Sequence, residues 1–123
     1  MNYALILAVL VWPSLAHAQD VASAPGGTVR WLDKISGVTK DVEMTVGETQ
    51  QHGRLAITLD DCRYPVNDPA SNAFAHLTIR DSLQADPVFM GWMIATSPAL
   101  SSMDHARYDV WVLRCKIPAA ATE

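Results

Sequence analysis

A chain of 123 residues with 9 Lys/Arg, 13 Asp/Glu and a formal charge of −4 has room for one domain with a single core and too little for two. The charges are interspersed (Arg30, Asp33, Lys34, Lys40, Asp41, Glu43), with no basic patch to condense on phosphates, so nucleic acid and anionic lipid are excluded as expected partners.

Residues 1–18 carry no charged side chain, and Tyr3 to Leu15 is almost unbroken apolar sequence followed by Ala16-His17-Ala18. Small residues at both ends of that tripeptide suit a signal peptidase, so the segment reads as a signal peptide cleaved before Gln19. The apolar run is too short to span a bilayer comfortably, and no stable membrane anchor is expected after cleavage. The implied localisation is periplasmic.

Residues 19–27 read as a flexible leader, with Pro25 and the Gly26-Gly27 pair breaking regular structure. From Thr28 the apolar residues recur with a two-residue period. Val29 and Trp31 share one face of a first strand. Val42, Met44 and Val46 alternate with polar residues, and Leu55, Ile57 and Leu59 alternate with Arg54, Ala56 and Thr58. The polar stretch Gly47 to Gly53 between these last two strands predicts a hairpin.

Cys62 is out of phase with Leu55, Ile57 and Leu59, so either Asp60-Asp61 forms a bulge or the cysteine lies past the strand end. Tyr64 to Pro69 predicts an irregular connection. Phe74 to Arg80 reads as a strand with Ala75, Leu77 and Ile79 inward and His76 outward. Val88 to Ala95, apolar on both faces, fits a central strand covered on both sides. Ser97 followed by Pro98 is a helix-start signal with room for one or two turns. Tyr108 to Cys115 closes the domain, with Val110 and Val112 on one face and Trp111, Leu113 and Cys115 on the other.

The expectation is an all-β domain over residues 28–117, a small antiparallel sandwich or barrel of about six strands with one short helix, ending in a frayed tail at 118–123.

In an oxidising compartment Cys62 and Cys115 are expected to form a disulfide. A redox pair would show Cys-x-x-Cys spacing, and a metal site would need ligand spacing that His52, His76 and His105 do not have. No cofactor or metal is expected. Ser101 to Asp109 gathers hydroxyls, carboxylates and His105, but contiguous residues rarely converge as a triad and no Gly-x-Ser-x-Gly elbow is present. Asp104 and His105 are expected to bond the backbone of a turn. Asp60 and Asp61, adjacent on an extended backbone, point to opposite faces and cannot act as a glycosidase pair. Trp31, Trp92 and Trp111 offer an aromatic platform for sugars or peptides, although packing in the core is the expected role.

Several stretches carry a family resemblance: Gly26 to Gly37, Val46-Gly47-Glu48 with Gly53-Arg54-Leu55, Cys62-Arg63-Tyr64-Pro65, Phe89 to Ala95, Ser97 to Leu100, and His105 to Cys115. Together they resemble the small exported alphaproteobacterial proteins grouped as domain of unknown function 2155. The pieces Trp-Met-x-Ala-x-Ser-Pro and Tyr-Asp-Val-Trp-Val-x-x-Cys are the most specific, and Ala106 stands where that pattern has a proline. The resemblance implies export and a shared domain from Thr28 to about Lys116, and brings no catalytic residues.

The expected function is that of a periplasmic, disulfide-stapled, non-enzymatic module that binds an envelope component or periplasmic protein. Its contact surface is expected around Asp104, His105, Arg107 and Tyr108, with Cys62 to Asn67 beside it through the bridge. The alternative is a small hydrolase or envelope-modifying enzyme using His105 with Ser101 or Asp104, for which a pocket holding His105 and a converging carboxylate would speak.

Overall fold

A computed structural model of the chain describes residues 9–14 and 20–119. The expected cleavage point before Gln19, most of the expected signal peptide and the last four residues of the expected tail lie outside them. Among the described residues no helix is long and apolar enough to cross a membrane.

Two antiparallel sheets face each other. The larger holds β1 (Val21–Ser23), β4 (Thr49–His52), β5 (Leu55–Pro65), β6 (Phe74–Asp81) and β7 (Phe89–Ile94). Its order is β1-β5-β6-β7, with β4 also pairing β5. The smaller sheet has the order β3-β2-β8, from β3 (Thr39–Thr45), β2 (Gly26–Asp33) and β8 (Tyr108–Cys115). This is an all-β sandwich. The two sheets do not join, so the barrel alternative is set aside.

The core is what the two-residue period dictates. Leu55, Ile57 and Leu59 of β5 and Ala75, Leu77 and Ile79 of β6 point inward with Met93. From the other sheet Val29, Trp31, Val42, Met44, Val110 and Val112 meet them. Between sheet layers of this kind the side chains fill a slab about 10 Å thick.

Five sequence expectations need correcting. Val21–Ser23 is not leader but an edge strand on Arg63–Pro65, and Gly26-Gly27 opens β2. The glycines are there because the backbones close in: a Cβ on Gly26 would stand 2.3 Å from the Met44 carbonyl oxygen, and one on Gly27 would stand 2.9 Å from Cys62 Sγ. The hairpin between 42–46 and 55–59 does not form. β3 pairs with β2, and the supposed loop supplies β4, which returns on β5 through Gly53 and Arg54. Tyr64 and Pro65 continue β5 rather than starting an irregular connection. β7 is an edge strand, half-exposed, not a central one.

Lastly, Cys115 lies on the core face with Val110 and Val112. A register shift between Thr28 and Val29 resets the phase of β8 after Leu113. The equivalent shift between Leu59 and Asp61 brings Cys62 inward, the bulge alternative posed above. Two bulges thus deliver the two cysteines to each other. The Cys62–Cys115 disulfide, with Cα atoms 5.8 Å apart, ties β5 to β8 across the sandwich. The helix signal at Ser97-Pro98 yields only a 3₁₀ turn over Pro98–Leu100, with no side-chain cap from Ser97.

Candidate functional site

The end of the sandwich opposite the disulfide gathers the buried charges. Asp81 follows Ile79 in the inward phase of β6 and closes that strand with a carboxylate almost fully buried. Its Oδ1 accepts from Arg54 Nε at 3.3 Å and from the Leu83 N–H at 3.0 Å. Its Oδ2 accepts from Arg54 Nη2 at 3.3 Å and from His105 Nε2 at 2.7 Å. The Arg54 guanidinium, then the Leu83 and His105 donors, hold the Asp81 carboxyl far below the usual carboxylate range.

His105 is buried, and its other nitrogen is equally occupied. Nδ1 accepts from the backbone N–H of Arg107 and of Tyr108, both at 3.0 Å. Two donors at Nδ1 assign the ring proton to Nε2, where it points at Asp81. Neither Ser101 nor Asp104 takes part. The imidazole therefore has no lone pair left for a substrate proton.

Tyr108 is the hub of the same end. Its hydroxyl accepts the Arg54 backbone N–H at 3.3 Å, and the Arg54 and Arg107 guanidinium groups lie 5.5 and 5.1 Å from its ring centroid. Trp31 packs against it at 5.5 Å. Arg107 reaches Asp33 through Nη2 at 3.0 Å, and Asp33 also accepts from the Ile35 and Ser36 N–H groups in the turn leaving β2. Arg107, foremost, and those backbone donors lower the Asp33 pKa to about 2. Lys34 Nζ donates to the His105 carbonyl at 2.6 Å.

A cleft of about 450 Å³ lined by Arg54, Asp81, Gln84, Asp104 and His105 opens onto this network. Of the residues expected as a contact surface, only Asp104 is freely exposed and Arg107 is part-exposed. His105 and Tyr108 are interior supports. Cys62 to Asn67 is not beside them, since the bridge joins β8 at its far end, seven residues from Tyr108 and roughly 23 Å along the strand. Trp31, Trp92 and Trp111 do not share a platform either: Trp31 is in the core, Trp111 is half-buried beside Pro98 and Ala99, and Trp92 is exposed on the outer face of the larger sheet.

That outer face holds a second feature. Val21 of β1, Phe74 of β6 and Trp92 of β7 frame a cleft of about 290 Å³ with Arg63 on its rim. The Arg63 guanidinium lies 5.1 Å from the Trp92 ring centroid, and His76 meets the same ring edge-on at 5.2 Å. His76 in turn bonds Asp60, 2.8 Å away, which also accepts from Thr78. Sequence reasoning missed Val21 and Phe74, and held Arg63 only as part of the Cys62 to Asn67 segment, because the three come together only once β1 has paired with the far end of β5.

The profile of the family described as "Uncharacterized protein conserved in bacteria (DUF2155)" matches residues 27–115, from the second glycine of β2 to the bridged Cys115. The chain belongs to this family. It is also similar to "Uncharacterized protein RP359" of Rickettsia prowazekii, with 26% identity over 102 residues, 80% of this chain and 66% of that one. No solved structure matches the chain. The family span includes every residue of the Asp81–His105 network and both cysteines, while Val21 of the outer cleft lies just outside it.

Proposed function

We propose that the protein is an exported binding module of the bacterial envelope, periplasmic once its leader is removed, and that it works by contact rather than by catalysis. The observation that carries this is the state of His105. Its two nitrogens are spent on Asp81 and on two backbone N–H groups, so the triad-like composition of Ser101 to Asp109 serves to clamp one end of the sandwich. The charge-free apolar leader and the disulfide support export into an oxidising compartment.

The contact surface we assign is the cleft framed by Val21, Phe74 and Trp92, with Arg63 beside it, facing an envelope component or periplasmic protein. An exposed aromatic with a cation over its ring is the composition of an interface centre. The test is capture from fractionated envelope, using crosslinking, by the oxidised protein and its Phe74→Ala and Arg63→Ala variants. Loss of the captured component by about tenfold in both variants, with unchanged melting temperature, is expected. Equal capture by all three proteins overturns the assignment.

The hydrolase alternative draws support from the 450 Å³ cleft, where Asp104 and His105 share a wall. Turnover of an ester or glycan substrate that His105→Ala abolishes, in a variant that still folds, would establish it in place of the binding reading.

A further inference from the structure

A sheet edge is a row of unpaired donors and acceptors, and folded proteins normally blunt it. Three of the edges here are blunted by familiar means. β3 carries Lys40, Asp41 and Glu43; β1 and β4 are three and four residues long. The β8 edge runs beside the 95–102 segment, which shares clefts with Asp109, Trp111 and Leu113. Among the described residues, β7 has no such device. From Pro87 to Met103 the chain contains no charged residue, and Met90 and Trp92 are 62% and 40% exposed.

The backbone direction along β7 follows from one bond. The Ala95 N–H donates to the Ala73 carbonyl at 2.9 Å on the β6 side, so the odd-numbered residues Phe89, Gly91 and Met93 turn their backbone groups toward β6. Met90 and Trp92 turn theirs to the edge that no described strand pairs. The next outward carbonyl, that of Ile94, is already taken by the Ser97 N–H. The open stretch is therefore Met90-Gly91-Trp92.

Gly91 is the second observation. Glycine weakens a strand interior, and often marks a place where another backbone comes close. Nothing inside this domain requires it: its φ is not positive, and an added Cβ would meet only the Phe89 ring at an ordinary 3.7 Å.

We propose that β7 is a self-association edge, occupied by β7 of a second copy running antiparallel about a two-fold axis through Gly91. In that register Met90 and Trp92 of each copy exchange both backbone bonds with Trp92 and Met90 of the other. The thioether of Met90 then lies against the partner's indole, a favourable sulfur–aromatic pairing. Gly91 faces its own copy at the closest approach of the two strands. The absence of charge from Pro87 to Met103 favours a copy of this strand as occupant, since like faces like without repulsion and no ion is stripped of water. The result is one continuous sheet across two molecules. This inference shares Trp92 with the outer-cleft assignment but does not rest on it, because the hydrogen-bonding edge makes the contact and Phe74→Ala or Arg63→Ala leaves that edge intact.

The test is sedimentation of the oxidised protein from micromolar to millimolar concentration, with amide hydrogen exchange at both ends of that range. A concentration-dependent dimer is expected, with the Met90 and Trp92 amides slowed only at high concentration. Met90→Lys, at an exposed position that the core does not use, should weaken dimerisation by about tenfold or more, and Ile35→Lys, on a distant turn, should leave it unchanged. A monomer throughout the range overturns the proposal. So does a dimer in which those two amides exchange at the monomer rate, or protection that appears only when an unrelated extended peptide is added. The exchange measurement on the unaltered protein decides the matter even if Met90→Lys misfolds.

Discussion

Gly53 joins β4 to β5 with φ +60°, and the Tyr108 hydroxyl sits where its side chain would be, 2.6 Å from an added Cβ. Gly53→Ala therefore meets backbone strain and a rigid aromatic together, and should cost about 2–4 kcal/mol in urea unfolding. His105→Ala strands the Arg107 and Tyr108 N–H donors in a buried place and should cost about 2–3 kcal/mol by the same measurement. The aspartates set the response to acid. Asp33 has its pKa lowered to about 2 in the folded protein against 3.8 ordinarily, so its contribution to stability is complete above roughly pH 5 and drains away as pH falls toward 2. Asp81, depressed further, adds loss in the same direction. Urea midpoints followed down through this window should fall, and fall less steeply in Asp33→Asn. A signal for both carboxylates stood in the sequence: Asp33 is in phase with Val29 and Trp31, and Asp81 with Leu77 and Ile79. An acid at a core position announces a buried partner, but Arg54, Arg107 and His105 could be matched to these acids only after folding.

At the scale of elements, alternation alone was enough to find β2, β3, β5, β6 and β8 and to name their inward residues apart from the two cysteines. It failed where pairing rather than pattern decides. β1 is three residues long and β4 entirely polar, so neither has an apolar period to read, and each exists because a β5 edge offers it hydrogen bonds. β7 misled for a different reason: apolar residues on both faces suggest cover on both sides, whereas here the outer face and one edge are open. The bulges mattered more than any strand, since each shifts a cysteine by one residue onto the core face. Gly27 makes room for the result. Gly27→Ala would press a methyl against Cys62 Sγ and the Arg114 carbonyl, each 2.9 Å away, and should destabilise the oxidised protein by about 1–3 kcal/mol in thermal or urea unfolding.

For the whole molecule, the two leaves are joined at opposite ends by different chemistry. At one end a sulfur bridge connects β5 to β8. At the other, Asp81 and Arg54 of the larger sheet hold the loop and tyrosine that begin β8. Closing a loop of roughly 54 residues corresponds to about 4 kcal/mol in the chain-entropy treatment, a large fraction of a small domain's stability. Reduction should lower the urea midpoint accordingly, and Cys62→Ala with Cys115→Ala should reproduce that loss without reductant. The all-β class and the bridge were both legible beforehand. The facing of the two sheets was not, because it depends on which strands cross from one to the other. Reductant and acid thus unlatch different rims. Under thiol treatment at neutral pH the sandwich should part like a book held at its spine by Asp81. Brief protease digestion of that form should then nick the Val66 to Asn72 segment well before any bond near Gly53.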